Sequence, residues 1–311
     1  MSRIYEALQK AESEKNVERQ PGEPHPLAAE RADAPATATL PYEVPAPFSG
    51  VQVDDNILTS EPAGGLNLGA VTRLPWNPAI DRLPALLERG PAVEQFRSLR
   101  SRVYEARDIR PIKSILVSSG LPQEGKSFVS ANLAVSLARH KSSKVLLIDG
   151  DMRRYTLHEL LGTESHPGLA EYLAGKATAE QVMQRMAESS NPNSVSHTLA
   201  NLTFIPGGNG GDKAADLSGN PRFGELLRMA APYFDWIIVD SSPVVPVSDG
   251  VNLARSCDGV LLVARAGVTK YAVAQRAASE LRAANVLGFV LNAVVESPQT
   301  SSYYGYNSNK E

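Results

Sequence analysis

The 311-residue sequence is poor in the features that mark secreted, membrane-spanning and nucleic-acid-binding proteins. Its one cysteine, Cys257, cannot form a disulfide within the chain, which is typical of a reducing cytosol. No run of about 18 apolar residues could cross a bilayer, and the first residues are charged throughout, which predicts no signal peptide. The net charge of −3 gives no footprint for nucleic acid. The five histidines lack metal-ligand spacing.

Proline and acidic charge are concentrated near the N-terminus. Residues 1–92 hold 12 of the 22 prolines and carry a net charge of −5. A segment this polar buries little apolar surface, so we predict a disordered linker over residues 18–90. Trp76 and the leucines at 83, 86 and 87 are expected to make its first contacts with the domain that follows.

A short helix is predicted over residues 1–17, because Ile4, Leu8 and Ala11 fall on one helical face and the opposite face is charged. A helix of this length is marginal alone in water. It is either a frayed terminus or a docking helix for a partner protein.

From residue 91 onward, apolar runs alternate with amphipathic segments. The runs are continuously apolar, which is typical of strands buried on both faces of a parallel sheet. Strands are predicted at 114–118, 144–148, 202–205, 236–239, 259–263 and 288–291, and helices at 93–105, 127–140, 221–233, 248–255 and 271–284. This order predicts a doubly wound, mostly parallel α/β domain over residues 91–298, followed by a flexible tail at 299–311.

The strongest motif is GLPQEGKS at residues 120–127, which matches G-x-x-x-x-G-K-[ST] between a predicted strand and a predicted helix. In such a phosphate loop, backbone N–H groups close around phosphate oxygens. Lys126 places positive charge near the β- and γ-phosphates, and the Ser127 hydroxyl can ligate Mg²⁺. The motif therefore predicts P-loop NTPase architecture that binds nucleotide.

Acidic residues follow two of the predicted strands. Asp149 and Asp151 follow the strand at 144–148, and Asp240 follows the strand at 236–239. The carboxyl ends of parallel strands line the ligand crevice of a doubly wound sheet, so the three carboxylates should converge near Mg²⁺ and the γ-phosphate. One Asp after a strand is usually a turn residue or a cap, but three behind a phosphate loop favour a catalytic site.

These motifs resemble the bacterial tyrosine kinases (BY-kinases) of capsule and exopolysaccharide synthesis, in the MinD/ParA-like branch of P-loop proteins. The resemblance covers residues 91–306. It rests on the phosphate loop, on a D-x-D-x-R motif at Asp149, Asp151 and Arg153, and on Asp240. It implies an autophosphorylating protein-tyrosine kinase that uses ATP and Mg²⁺ and regulates polysaccharide synthesis and export.

The resemblance also implies roles for individual residues. Lys126 stabilises phosphate charge, Ser127 holds the metal, and Asp151 and Asp240 position the metal through its waters. Asp149 is the candidate base for the incoming tyrosine hydroxyl. Asn292 resembles an adenine-contacting residue, although an Asn that caps a strand end fits equally well. The predicted nucleotide contacts are Gly120, Gln123, Glu124, Gly125, Lys126, Ser127, Phe128, Arg153 and Asn292.

Two further motifs of the family have counterparts outside the phosphate loop. Glu94, Arg97 and Arg100 match E-x-x-R-x-x-R, which implies an interface for ring-like self-association. The alternative is a solvated helix face with a weak internal ion pair. A tyrosine cluster in the tail implies phosphoacceptors, the alternative being an inert tail. Its members are Tyr303, Tyr304 and Tyr306.

The resemblance also implies partners and a location. With no membrane segment, the chain resembles the stand-alone cytoplasmic form, which a separate membrane activator of the polysaccharide co-polymerase type recruits to the inner face of the plasma membrane. A cognate tyrosine phosphatase is a further implied partner, and nucleic acid is not one.

The sequence departs from the family pattern at Gln123, where glycine is common, and at Tyr155, where proline is usual, and its tyrosine cluster is short. The competing hypothesis is a MinD/ParA-like positioning or regulatory ATPase without kinase activity. Such proteins usually carry a second lysine early in the loop, where this chain has Leu121. A third hypothesis, a scaffold with a decayed ATPase, conflicts with the intact Lys126, Ser127 and three aspartates.

Overall fold

A computed structural model describes residues 65–140, 143–190 and 195–295. In this part of the chain, eight strands form one sheet in the order β1-β4-β5-β3-β6-β2-β7-β8. Every neighbouring pair is parallel except β4 and β5. The predicted doubly wound, mostly parallel α/β fold is therefore confirmed. The strands are β1 (Thr72–Leu74), β2 (Ser114–Ser119), β3 (Val145–Asp149), β4 (Gln184–Met186), β5 (Leu202–Ile205), β6 (Trp236–Asp240), β7 (Gly259–Arg265) and β8 (Val286–Asn292).

Helices connect and cover these strands. None of those in the described ranges is long and apolar enough to cross a membrane. They are α1 (Pro91–Ile109), α2 (Lys126–Ala138), α3 (Leu157–Leu161), α4 (Leu169–Leu173), α5 (Ala179–Val182), α6 (Val195–Thr198), α7 (Ala214–Ser218), α8 (Arg222–Ala230), α9 (Asp249–Ala254) and α10 (Tyr271–Glu280). Single 3₁₀ turns lie at Leu68–Ala70, Ile80–Arg82, Pro84–Leu86 and Gly211–Lys213.

Successive residues of the central strands enter two different cores. In β2, Ile115 and Val117 pack into one core and Leu116 into the other. In β6, Trp236 lies in the first core and Ile237 in the second. Because side chains alternate across a sheet and both faces are covered, these strands are continuously apolar. The parallel central strands all end at one edge, which places their carboxyl ends together.

The predicted boundary of the linker is wrong at residue 90. Val71, Trp76 and Leu83 are buried, and Leu83 has no exposed surface. Trp76 meets the Phe204 ring edge-on at a centroid distance of 6.3 Å. Residues 65–90 therefore belong to the folded unit, because their few apolar side chains complete its core. The expected contacts of Trp76 and Leu83 are confirmed, whereas Leu87 is 44% exposed.

The structure also adds short elements that the sequence did not predict. β1 and β4 have three residues each, and α3 to α6 have four or five, which is too short for a periodic pattern to be visible. Helix α1 begins two residues earlier than predicted and ends four residues later, just before the Arg110-Pro111 step that disfavours helix. The helix predicted over residues 1–17 and the tail from residue 299 lie outside the described residues.

Candidate functional site

The phosphate loop runs from the end of β2 into the first turn of α2. Gly125 is the N-cap of α2 at φ 95°, a left-handed conformation that favours glycine. A Cβ at this position would clash with the side-chain amide of Asn292. Gln123 has φ 64° although it is not glycine. Glycine at position 125 thus suits the backbone conformation of the loop. At Gln123 the positive φ is less favourable, because the residue carries a Cβ.

Glu124 fixes the shape of the loop from within. Its side chain is buried, and its Oε2 accepts a hydrogen bond from the Leu121 N–H at 2.8 Å. The Thr269 hydroxyl, just after β7, donates to its Oε1. The Asn292 Nδ2 donates to the Glu124 carbonyl at 3.0 Å. Glu124 therefore holds the loop closed and joins it to β7 and β8.

Lys126 lies among the three predicted aspartates. Its Nζ is 3.2 Å from Asp151 Oδ2, and both side chains are largely buried. Burial lowers the pKa of Lys126, but the carboxylates of Asp240, Asp151 and Asp149 outweigh this effect and raise it. Lys126 is therefore a fixed positive charge at neutral pH, at the N-terminus of α2.

Asp149 is fully buried, and both of its carboxylate oxygens accept backbone hydrogen bonds. Oδ1 accepts from the Asp151 N–H at 3.2 Å and Oδ2 from the Leu157 N–H at 3.1 Å. Burial, with repulsion from Asp240, raises the pKa of Asp149 well above its usual range. These two bonds hold the backbone of residues 151–157 against Asp149, so the side chain also stabilises the structure of the site.

Asp240 is the residue paired with Asp149 across β3 and β6. Its Oδ1 accepts a hydrogen bond from Ser130 Oγ at 3.0 Å, and its Oδ2 is buried with no partner among the described residues. Burial raises the pKa of Asp240 against the opposing effects of Lys126 and the nearby Ser127 and Ser130 hydroxyls.

This unpartnered oxygen fits a bound Mg²⁺. A carboxylate oxygen and a serine hydroxyl are ligands that Mg²⁺ takes together with waters and substrate phosphates. In the described residues, no group of three or more acidic, histidine or cysteine side chains could hold a metal. A metal here would thus depend on the nucleotide for most of its ligands.

Arg153, a predicted nucleotide contact, is paired with Asp249. Its Nε donates to Asp249 Oδ2 at 2.6 Å and its Nη2 to Asp249 Oδ1 at 3.4 Å. The Asp249 side chain is 3% exposed, and this residue is the first of α9. Arg153 thus ties the turn after β3 to α9. Its contact with nucleotide stays a prediction.

Asn292 and Phe128, two predicted nucleotide contacts, lie beside the loop, and their contact with nucleotide stays a prediction. Asn292 ends β8 and bonds to the loop backbone rather than capping its own strand. Phe128 packs edge-on against Phe96 of α1 at 5.6 Å. Both residues line a groove of about 620 Å³ between α1 and β8, which also contains Leu291.

The predicted interface residues have partners within their own chain. Arg97 pairs with Glu94 at 2.5 Å and donates to the Glu88 carbonyl at 2.9 Å. Arg100 donates to the Ser136 carbonyl at 2.9 Å. These contacts neither require nor exclude a neighbouring subunit. The predicted phosphoacceptors Tyr303, Tyr304 and Tyr306 lie outside the described residues.

Sequence reasoning assigned no role in the site to three residues that support it. Thr269 and Ser130 hold Glu124 and Asp240, respectively, and Asp249 holds Arg153. Ser130 could have been found, because it stands one helical turn after Lys126 and so faces the same way. Thr269 and Asp249 lie far from their partners in the sequence, so no local spacing links them to the site.

Comparison with known proteins places this geometry in a wider context. The CobQ/CobB/MinD/ParA nucleotide binding domain family matches residues 115–306. The tyrosine-protein kinase YwqD of Bacillus subtilis is 32% identical over 220 residues, which are 70% of this chain and 87% of that protein. The solved kinase domain of the Escherichia coli tyrosine kinase ETK has 29% identity and a TM-score of 0.58, over 70% of this chain and 80% of that one.

Longer relatives share only this domain. The tyrosine-protein kinase Wzc of Salmonella typhimurium is 33% identical over 219 residues, which are 69% of this chain. This chain spans 28% of the length of that protein.

Proposed function

Because this chain belongs to the CobQ/CobB/MinD/ParA nucleotide-binding family, and within it to the bacterial tyrosine-protein kinases, we propose that it transfers the γ-phosphate of ATP to tyrosines of its own tail. The observation that carries the proposal is the grouping of Lys126, Asp149, Asp151 and Asp240 directly behind a closed phosphate loop. The acceptors are Tyr303, Tyr304 and Tyr306, and the biological role is the regulation of capsule or exopolysaccharide synthesis and export.

In this proposal, positioning and charge provide most of the rate acceleration. The backbone of residues 120–127 surrounds the phosphates, and Lys126 neutralises charge on the β- and γ-phosphates. Phe128 and Asn292 flank the nucleotide, and Arg153 reaches it if its pair with Asp249 opens. Ser127 and Asp240 hold Mg²⁺, and Asp151 orients its waters. When bound, Mg²⁺ neutralises developing phosphate charge.

Asp149 is the proposed base for the tyrosine hydroxyl. A tyrosine titrates near pH 10 in water, so a carboxylate accepts its proton only as the bond to phosphorus forms. The raised pKa of Asp149 makes the ionised carboxylate a stronger proton acceptor than an exposed one. The proton moves from the tyrosine oxygen to a carboxylate oxygen, which accepts one backbone N–H and has a second lone pair to receive it.

Assembly and location belong to the same proposal. Glu94, Arg97 and Arg100 form part of a ring-like self-association interface, through which one subunit presents its tail to another. A membrane activator of the polysaccharide co-polymerase type recruits the chain to the inner face of the plasma membrane. Residues 1–17 dock on it, the Pro-rich segment before residue 65 is the spacer, and a cognate tyrosine phosphatase reverses the modification.

Incubation of the full chain and its activator with Mg-ATP, followed by mass spectrometry, tests the proposal. We expect phosphate on the tail, loss of most signal when Tyr303, Tyr304 and Tyr306 are changed to Phe, and none in Lys126→Met. Lys176→Met, which removes an exposed lysine, is the matched control and should label normally. ATP hydrolysis without any phosphotyrosine would overturn the proposal and favour a MinD/ParA-like ATPase.

A further inference from the structure

A polar cavity of about 250 Å³ lies between α1 and the C-terminal end of α2. Arg97 and Arg100 reach it from α1, and Arg139 and His140 from the end of α2. Among the residues that the structure describes, no carboxylate lines it. Ala85, Val93 and Ser136 complete the lining. A cavity with three guanidinium groups and no acidic residue in this lining is suited to an anion.

Main-chain carbonyls hold these guanidinium groups in place. Arg139 Nη1 donates to the carbonyls of Ala85 and Leu87, at 2.5 Å each. Arg100 Nη1 donates to the Ser136 carbonyl at 2.9 Å. A guanidinium has five N–H donors, so these bonds fix the orientation of each group and still leave donors for a ligand. The cavity is therefore pre-organised, which lowers the entropy cost of binding.

The positive charges in the cavity repel one another. Burial lowers the pKa of Arg100, and the neighbouring Arg97 and Arg139 lower it further. Burial and Arg97 likewise lower the pKa of Arg139, against the opposing effect of the nearby Glu88 carboxylate. Glu94 pairs with Arg97 outside the lining and compensates one of the three charges. An anion between the other two would relieve the repulsion that the fold imposes.

We propose that this cavity binds a phosphate monoester carried on an aromatic ring, the chemistry of phosphotyrosine. The cavity is much larger than the roughly 30 Å³ that one water occupies, so an inorganic ion would fill a small part of it. The arginines offer forked donors to the phosphate, and the small apolar part of the lining comes from Ala85 and Val93, which are each 3% exposed. The choice of phosphotyrosine rests on the proposed function, because the kinase reaction would supply this ligand.

Calorimetric titration of the full chain, dephosphorylated and saturated with Mg-ADP to fill the phosphate loop, tests this inference. The probes are N-acetyl-phosphotyrosine amide, the matching tyrosine amide and inorganic phosphate. We expect binding of the phosphotyrosine probe, weaker binding of inorganic phosphate and none of tyrosine. Arg139→Gln should weaken binding about tenfold, and the double variant Arg100→Gln/Arg139→Gln about a hundredfold.

Arg102→Gln is the matched control, because Arg102 lies on the same helix, is 79% exposed and pairs with Glu105 away from the cavity. It should bind as the unmodified protein does. Arg139→Lys keeps the positive charge but loses the paired N–H donors of the guanidinium. Its affinity for the phosphotyrosine probe should lie between those of the unmodified protein and Arg139→Gln. Thermal unfolding of each variant shows whether it folds. If the glutamine variants do not fold, the affinity of Arg139→Lys for the phosphotyrosine probe is the test.

Equal affinity of the unmodified chain and the double variant would overturn the inference, as would equal binding of tyrosine and phosphotyrosine probes. Inorganic phosphate bound as tightly as phosphotyrosine would overturn the aromatic part and leave a free-phosphate site. The titration involves no phosphoryl transfer, so its result is independent of the kinase test. The cavity could fail to bind the probe while the tail is phosphorylated, or bind it while the tail is not phosphorylated. Arg139 lies outside the E-x-x-R-x-x-R residues, so its single variants, Arg139→Gln and Arg139→Lys, also separate binding from self-association.

Discussion

Replacing Lys126 by methionine should destabilise the protein as well as abolish phosphoryl transfer. The ammonium lies 3.2 Å from Asp151, and the charges of Asp151, Asp149 and Asp240 outweigh the cost of its burial. Methionine fills similar space but leaves three buried carboxylates without this cation. Loss of one partner from a buried ion pair costs about 3–5 kcal/mol. At about 2–4 °C per kcal/mol, the Tm should fall by about 6–20 °C near neutral pH.

This loss should shrink as the pH falls. Burial raises the pKa of Asp149 and of Asp240 in the folded state, and removal of Lys126 raises that of Asp240 further. A carboxyl whose folded pKa exceeds its unfolded value of about 4 favours the fold when protonated. Its contribution is complete below the unfolded pKa and is lost as the pH rises through the folded one. Lys126→Met should therefore approach the unmodified protein as the pH falls to about 4, and depart from it as the pH rises through the raised folded pKa values of these carboxyls.

Thermal unfolding of ligand-free protein, followed by circular dichroism across this pH range, measures the effect. Lys126→Arg keeps the charge and should lose less stability, and the exposed Lys176→Met should lose almost none. The reasoning is refuted if Lys126→Met unfolds at the same temperature as the unmodified protein at about pH 8, or if its deficit is the same at every pH. Activity assays with Lys126→Met require this stability measurement as a control, because a variant that is unfolded at the assay temperature is inactive whether or not Lys126 takes part in the reaction.

Two further predictions concern the loop and the segment before α1. Glu124→Ala removes the acceptor of the Leu121 N–H and the Thr269 hydroxyl, so the closed loop should be less populated. The Kd for ATP, measured by calorimetry, should rise about tenfold. An unchanged Kd would show that the loop closes without the Glu124 side chain. Leu83→Ala should lower the free energy of unfolding, measured in urea, by about 2–5 kcal/mol, because Leu83 is fully buried. Leu87→Ala is the control at a half-exposed leucine, and it should lower the free energy of unfolding much less.

The central sheet and the phosphate loop could be predicted from the sequence because their signals are local. A strand buried on both faces needs an unbroken apolar run, as at residues 236–239, and the loop needs glycine at Gly125 for its backbone conformation. The aspartates could be placed together because parallel strands end at one edge of a sheet.

Contacts between distant parts of the chain could not be predicted in this way. Thr269 holds Glu124 across 145 residues, and Asp249 holds Arg153 across 96. The burial of Trp76 and Leu83 was only partly foreseen, because the apolar residues around them have no regular spacing and composition alone favoured a linker. Three-dimensional packing, rather than local propensity, decides such positions.

The end of β8 limits where a tail tyrosine can be used. Asn292, which closes this strand, is anchored to the phosphate loop, and Tyr303 stands eleven residues further along the chain and Tyr306 fourteen. A fully stretched chain covers at most about 3.6 Å per residue, so Tyr303 reaches no further than about 40 Å from this anchor and Tyr306 about 50 Å. In the proposed self-association, a subunit that phosphorylates this tail must bring its proposed catalytic carboxylates inside that radius. The length of the tail would then limit the size and curvature of the proposed assembly.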